Sequence, residues 1–99
     1  MFVVIWEYEI RADATDAFES MYGADGAWVA LFRQAPGYLG TELLRDRRPR
    51  RYLSLDRWAT EADYDAFLAA TGARYAELDA LGDALTLAER RIGRYRAPC

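Results

Sequence analysis

RYLSLDRWATEADYDAFL, residues 51–68, holds three signals in a short space. An alternating strand runs over Arg51–Trp58, Trp58 ends it, and Thr60 opens a helix. In the strand, Leu53 and Leu55 share one face, while Tyr52, Ser54, Asp56 and Trp58 share the other, because successive side chains of a strand point to opposite faces. Thr60 with Asp63 three residues on resembles a capping box, in which the threonine oxygen receives a free amide of the first turn. The helix that follows places Tyr64, Phe67 and Leu68 on one side.

Upstream, Tyr38–Arg45 (YLGTELLR) reads as another strand, and the short polar turn 46–50 makes the two an antiparallel hairpin. Glu42 and Asp56 are expected to face each other across it. The chain opens with FVVIWEYEI (Phe2–Ile10), rich in β-branched and aromatic residues and therefore a strand. Val4, Trp6, Tyr8 and Ile10 lie on one of its faces, and Val3, Ile5, Glu7 and Glu9 on the other. Between these strands, Asp13 and Asp16 suit the positive start of a helix with Ala17, Phe18, Met21 and Tyr22 as its apolar stripe. The segment Gly23 to Gly26 interrupts the helix. A second piece carries Trp28, Val29, Leu31 and Phe32 and stops at Pro36-Gly37, since proline cannot continue the ladder. After Thr71-Gly72, Tyr75, Leu78 and Leu81 recur at three-residue spacing on one helical face. Residues 84–95 read as a closing edge strand or one exchanged with a partner.

The order β, interrupted α, β, β, interrupted α, β is the split βαβ order of an α+β, ferredoxin-like domain, here a single domain over residues 1–99. Its helices lie on one face of an antiparallel sheet, and the other face needs a cover. A second copy of the same sheet is the economical cover, as a C2 homodimer.

Composition excludes several chemistries. The chain has 99 residues, 53% hydrophobic and 29% charged, as in a folding soluble chain. A net charge of −3 gives no pull toward nucleic acid or an anionic membrane. All basic residues are Arg, and there is no His, Lys or Asn. Without His, the usual general base and the usual neutral metal ligand are missing, and nucleophilic triads fail. Carboxylates alone would have to hold a metal, and no closely spaced set appears in the sequence, so no metal is expected. Cys99 is the single cysteine; it permits no intrachain disulfide, and a reducing cytoplasm is the simple expectation. No apolar stretch reaches the ~18 residues of a membrane span. The Arg47, Arg48, Arg50, Arg51 cluster can hold an anion but reads more simply as a solvated turn.

The aromatic set is the best candidate site. Trp58 and Tyr64 stand at the strand–helix corner, and Trp6, Tyr22, Trp28, Tyr38 and Tyr75 can converge nearby to line a pocket for a flat aromatic ligand. Ordinary core packing is the plainer account of Phe18, Phe32 and Phe67. Glu7 with Glu9 and Glu42 with Asp56 are carboxylate pairs in which a buried member would have a raised pKa; salt bridges to Arg45, Arg57 or Arg91 are the plainer account.

FVVIWEYEI, APGYLGTELLRD and RYLSLDRWATEADYDAFL together make the chain resemble the antibiotic biosynthesis monooxygenase domains of the dimeric α+β barrel superfamily. The resemblance implies a homodimer whose sheets pack into a barrel. For some members it implies oxidation of phenolic or anthrone-type polycyclic aromatics to quinones without flavin or metal, through a substrate phenolate that reacts directly with oxygen. By that resemblance Trp58 and Tyr64 contact the substrate and Arg74 stabilises the anion. The haem-degrading branch, which uses a Trp with an Asn and an iron-ligating His, is disfavoured because neither His nor Asn is present. A non-catalytic ligand-binding or structural dimeric domain is the alternative.

Overall fold

The computed structural model describes residues 1–98; Cys99 lies outside the described residues. The element order is β1 (Phe2–Ile10), α1 (Thr15–Tyr22), α2 (Ala27–Phe32), β2 (Tyr38–Arg45), β3 (Arg51–Trp58), α3 (Glu61–Ala70), α4 (Gly72–Asp83) and β4 (Thr86–Arg96). The four strands form one antiparallel sheet in the order β2-β3-β1-β4. The helices cover one face of it, giving the α+β, ferredoxin-like arrangement. β4 pairs with β1 of its own chain as an edge, so no strand exchange is needed to complete the sheet.

The alternation along β3 sets the layers. Tyr52, Ser54, Asp56 and Trp58 are buried under the helices, while Leu53 and Leu55 on the opposite face are only half-buried. Pairing carries the same division into β1: Val4, Trp6 and Tyr8 stand opposite Asp56, Ser54 and Tyr52, whereas Val3, Ile5 and Glu7 stand opposite Arg57, Leu55 and Leu53. Phe2, Val4, Ile10, Phe18, Trp58 and Leu78 form the fully enclosed centre of the core.

Local chemistry fixes the helices. The Thr60 hydroxyl accepts the Asp63 amide at 3.1 Å and caps α3. Between α3 and α4 the Thr71 hydroxyl donates to the Phe67 carbonyl at 2.7 Å, using the end of one helix to start the next. Gly37, which precedes β2, has φ +86 and lies against the Asp63 side chain, where a Cβ would come within 2.3 Å. Only glycine meets both conditions.

Three local expectations are corrected. The N-cap of α1 is the buried Ala14 and not Asp13, and no side chain caps it; only Asp16 sits in the first turn. Ala17 faces solvent, leaving Phe18 and Tyr22 as the buried stripe. Leu81 is 59% exposed, because α4 turns Leu78 and Gly82 inward instead. Gly82 is there because the Tyr22 hydroxyl occupies the space a Cβ would take, 2.0 Å away.

Candidate functional site

An aromatic cavity opens between the sheet and the helices. Trp6 and Tyr8 reach it from β1, Ser54 and Asp56 from β3, and Thr41 from β2. The helices supply Tyr22, Trp28 and Phe32 on one side, with Tyr64, Tyr75 and Asp79 on the other; Glu89 of β4 closes the edge. Its enclosed volume is about 30 Å³, within a void of about 500 Å³ that includes its open mouth. The enclosed part holds one or two water-sized groups, so a ring system reaching it would sit largely in the mouth or displace the wall.

Asp56 is the main polar feature. It is 8% exposed and burial pushes its carboxyl up to about 6, offset in part by a hydrogen bond from Thr41. That bond runs from the Thr41 hydroxyl to Oδ1 of Asp56 at 2.8 Å, and the Tyr38 hydroxyl lies 2.7 Å from the same Thr41 oxygen. Since Thr41 gives its proton to Asp56, Tyr38 donates to Thr41, and the three form a directed chain. Tyr38 and Thr41 are three residues apart and in a regular strand would point to opposite faces. A bulge between Tyr38 and Gly40 brings both to the helix side: two residues of β2 pass while β3 advances by one, from Trp58 to Arg57. Gly40, at φ +146, supplies the backbone conformation.

The same bulge overturns the expected pairing of Glu42 with Asp56. Thr41 stands opposite Asp56, and Glu42 stands opposite Leu55 on the other face, bonded to Arg57 at 2.6 Å. Glu7 and Glu9 pair with Arg90 and Arg51. In the basic turn, Arg48 is held by Asp46.

Of the residues singled out in the sequence, Trp6, Tyr22, Trp28, Tyr64 and Tyr75 line the cavity. Tyr38 acts on it through Thr41. Trp58 is wholly buried behind the lining, 5.5 Å from the Tyr64 ring and 5.1 Å from Phe67. Arg74 is not brought there: its side chain is 54% exposed on α4 and bound to Glu77 at 2.8 Å. Among the described residues the Trp58 indole N–H has no hydrogen-bond partner, whereas the Trp28 indole N–H faces the Tyr22 hydroxyl. Burial raises the phenol pKa of Tyr8, Tyr22, Tyr64 and Tyr75, so these hydroxyls stay protonated near neutrality and act as donors or acceptors, not as bases. Sequence reasoning placed Asp56 on the right strand face but missed Thr41, because a bulge has no period to read; the Leu-Gly at 39–40 was its only trace.

One cluster was not visible in the sequence. Asp79 and Asp83, one turn apart on α4, come within 4.8 Å of Glu89 on β4 through their carboxylate oxygens, correcting the expectation that no acids gather closely. Burial, then the two aspartates, push Glu89 up to about 7.

The family model described as antibiotic biosynthesis monooxygenase matches residues 1–77. The chain belongs to that family. No curated protein matches it. Among solved structures, the antibiotic biosynthesis monooxygenase fold seen here is similar to SnoaB from Streptomyces nogalater, a cofactor-independent oxygenase, at 20% identity, with 99% of this chain and 93% of that chain covered and a TM-score of 0.79. A putative antibiotic biosynthesis monooxygenase from Nitrosomonas europaea is 17% identical over the whole of both chains, with a TM-score of 0.72. A MhuD variant carrying two manganese protoporphyrin IX molecules per active site is 19% identical over 100% of this chain and 96% of that one, with a TM-score of 0.73. At these identities the likeness concerns the fold of this monooxygenase-family chain.

Proposed function

We propose that this chain is a cofactor-independent oxygenase of the antibiotic biosynthesis monooxygenase family that oxidises a phenolic or anthrone-type aromatic to a quinone, with the cavity beside Asp56 as its site. The observation that carries this reading is the buried Asp56 carboxyl, tuned to about 6 and oriented by Thr41 and Tyr38 in an aromatic cavity. A base with a pKa near the working pH can take a proton from an acidic hydroxyl or activated C–H and release it again. In a chain without His, a desolvated carboxyl is the group best suited to this role.

In this scheme Asp56 removes a proton from the substrate, and the electron-rich anion transfers electrons to dioxygen. One oxygen atom enters as the new quinone carbonyl, and the other leaves as water with the two hydrogens the substrate loses, both from the methylene carbon of an anthrone, or one from the ring carbon and one from the hydroxyl of a phenol. Tyr64, 6% exposed with Arg94 5.3 Å from its ring centre, faces the substrate together with Trp6, Tyr22, Trp28 and Tyr75. Tyr38 and Trp58 act from behind, through Thr41 and through packing. We assign Arg74 no part in this scheme, since its guanidinium points to Glu77 in solvent. For haem chemistry the donor set does not fit: the chain has no imidazole, and burial keeps the lining phenols of Tyr22, Tyr64 and Tyr75 protonated, whereas a tyrosine binds haem iron as the phenolate.

We further propose a cytoplasmic homodimer, closed over the open sheet face. That face carries Val3, Ile5, Leu53, Leu55 and Leu44 in its centre, with Glu42–Arg57, Glu9–Arg51 and Glu7–Arg90 pairs around it. An apolar centre with a charged rim is what an isologous interface uses.

The test is oxygen consumption and quinone formation with anthrones and polycyclic phenols, with one labelled atom of dioxygen expected in the product. Turnover should fall about 10²–10⁴-fold in Asp56→Asn and less in Tyr64→Phe. Ligand-dependent stabilisation with no oxygen uptake across a broad panel would instead support a binding domain, the reading favoured by the small enclosed volume.

A further inference from the structure

A base that works repeatedly has to exchange its proton with solvent, and Asp56 is only 8% exposed. The mouth of the cavity is one way out, but a bound ring fills it. The other titratable groups of the lining, Tyr8, Tyr22, Tyr64, Tyr75, Asp79 and Glu89, offer no second way. Among the described residues, the one hydrogen bond to the Asp56 carboxyl comes from Thr41. The Tyr8 hydroxyl lies 3.4 Å from that of Ser54, and both residues are buried, so that pair ends inside the core.

A continuous path exists on the β2 side. Oδ1 of Asp56 accepts from the Thr41 hydroxyl at 2.8 Å, and the Thr41 oxygen lies 2.7 Å from the Tyr38 hydroxyl. Both distances are near the optimum for O–H···O bonds. Thr41 lines the aromatic cavity and also a separate cleft bounded by Glu19, Gly23 and Arg45. Tyr38 is half-buried and does not line the aromatic cavity. The path therefore leads outward without crossing the ring site. A hydroxyl both donates and accepts, so two in series can pass a proton by reversing their bonds. The direction present, from Tyr38 to Thr41 to Asp56, is the one such a pair has once a proton has left outward. The bulge at Gly40 creates the path, since a regular strand would put Tyr38 and Thr41 on opposite faces.

We infer that Thr41 and Tyr38 form a proton relay that connects Asp56 to solvent while the cavity is occupied. The proton taken from the ligand arrives on the carboxyl, which turns to present it to Thr41. Thr41 passes its own proton to Tyr38, and Tyr38 gives one to water. One proton enters, one leaves, and Asp56 is again a carboxylate. Tyr38 acts only through Thr41 and touches no ligand. The relay rests on Asp56 being the base of the cavity, as the oxygenase reading also requires, but not on any reaction with oxygen.

The test uses anthrone as the probe, without oxygen. In deuterium oxide under nitrogen, the parent chain should exchange the methylene hydrogens of anthrone for deuterium faster than solvent alone, read by mass spectrometry. With Asp56 cut off from solvent, the proton it removes returns to the same carbon and no deuterium enters. Tyr38→Phe should therefore slow the exchange at least about tenfold while leaving anthrone affinity unchanged. Thr41→Val should slow it as much, and Thr41→Ser, which keeps the hydroxyl, should restore most of that loss; circular dichroism checks that each variant is folded. Parent-rate exchange in Tyr38→Phe or in Thr41→Val overturns the inference and leaves Asp56 as the base. So does a loss in Thr41→Ser equal to that in Thr41→Val, since packing and not the hydroxyl would then matter. Absence of catalysed exchange in the parent chain, or exchange that persists in Asp56→Asn, removes Asp56 as the base and the relay with it. Exchange that depends on Tyr38 without oxygen uptake in air keeps the inference and removes only the oxygenase reading.

Discussion

The two faces of β3 are separated by one residue of register and live in different surroundings. On the helix side, Tyr52, Ser54, Asp56 and Trp58 are buried, two of them polar and one ionisable. On the other side, Leu53 and Leu55 remain half-buried, beside Val3 and Ile5 of β1 and the exposed Leu44 of β2. Along β3 the helix side thus encloses one carboxyl and one hydroxyl among its aromatic rings, whereas the open side leaves the aliphatic pair Leu53 and Leu55 uncovered between Arg51 and Arg57. Burying a carboxyl opposes folding and leaving aliphatic area in water forgoes stability, so neither feature is explained by the stability of the monomer alone. The helix side builds a cavity around a tuned acid, and under the proposed homodimer the open side would receive a second layer.

The largest expected effect tests the open face. Light scattering at micromolar concentration should give twice the 11.3 kDa chain mass, and Leu55→Asp should return the monomer. The substitution enters a two-fold interface twice and buries an unpaired charge each time. Since Leu55 makes little of the monomer core, the folded monomer should survive. A monomeric parent chain would break the comparison, leaving the aliphatic face without a task.

Next comes the helix face. Trp58→Ala should cost about 3–5 kcal/mol in urea unfolding of the Leu55→Asp monomer, as for deletion of a large buried ring. Leu53→Ala in the same background should cost less than about 1 kcal/mol. Similar costs for the two would mean that the faces are not as unequal as their burial.

Asp56 sharpens the comparison through pH. Its folded pKa of about 6 lies above the ordinary 3.8, so between those values the folded state binds more protons than the unfolded one. Stability therefore falls as pH rises through this window and stays lower above it. Two pH units correspond to roughly 3 kcal/mol at most, and Asp56→Asn should recover about 1–3 kcal/mol at pH 7 while lowering turnover about 10²–10⁴-fold. Glu89, pushed up to about 7, acts in the same direction at higher pH with a smaller effect because it is half in solvent. Glu19 works oppositely: Arg45 and Tyr52 hold its carboxyl down to about 2, so its contribution is present above about 4.5 and is lost as pH falls toward 2. Denaturation profiles of the parent chain and of Asp56→Asn that superimpose from pH 4 to 7 would show that Asp56 is not desolvated.

What the sequence made legible follows from periodicity. Strand alternation in residues 51–58, the Thr60 cap and the Pro36-Gly37 stop each have a local cause that a single chain displays, and together they fix the element order. The aromatic lining was legible in part, since rings gathered at the ends of four elements must meet between sheet and helices. Three things were not. Thr41 beside Asp56 depends on a bulge that shifts register by one residue. The acidic group joins α4 to β4 across a turn whose angle no local signal sets. Arg74 was placed by resemblance, and a helix rotates its residues by 100° per step, so a small error in register turns a pocket residue into a surface one.

That last residue gives the smallest prediction. Arg74 belongs to neither face of the sheet, and among the described residues it makes an exposed pair with Glu77 three residues along α4. Such pairs contribute a few tenths of a kcal/mol. Arg74→Ala should therefore change unfolding free energy by less than about 0.5 kcal/mol and leave both probe affinity and oxygen uptake at the parent level. A tenfold loss of turnover without loss of stability would mean that α4 rotates when ligand enters, carrying Arg74 from solvent to the mouth of the cavity. The helix side would then be a moving wall, and the contrast between a closed, tuned face and an open, sticky one would hold only for the empty protein.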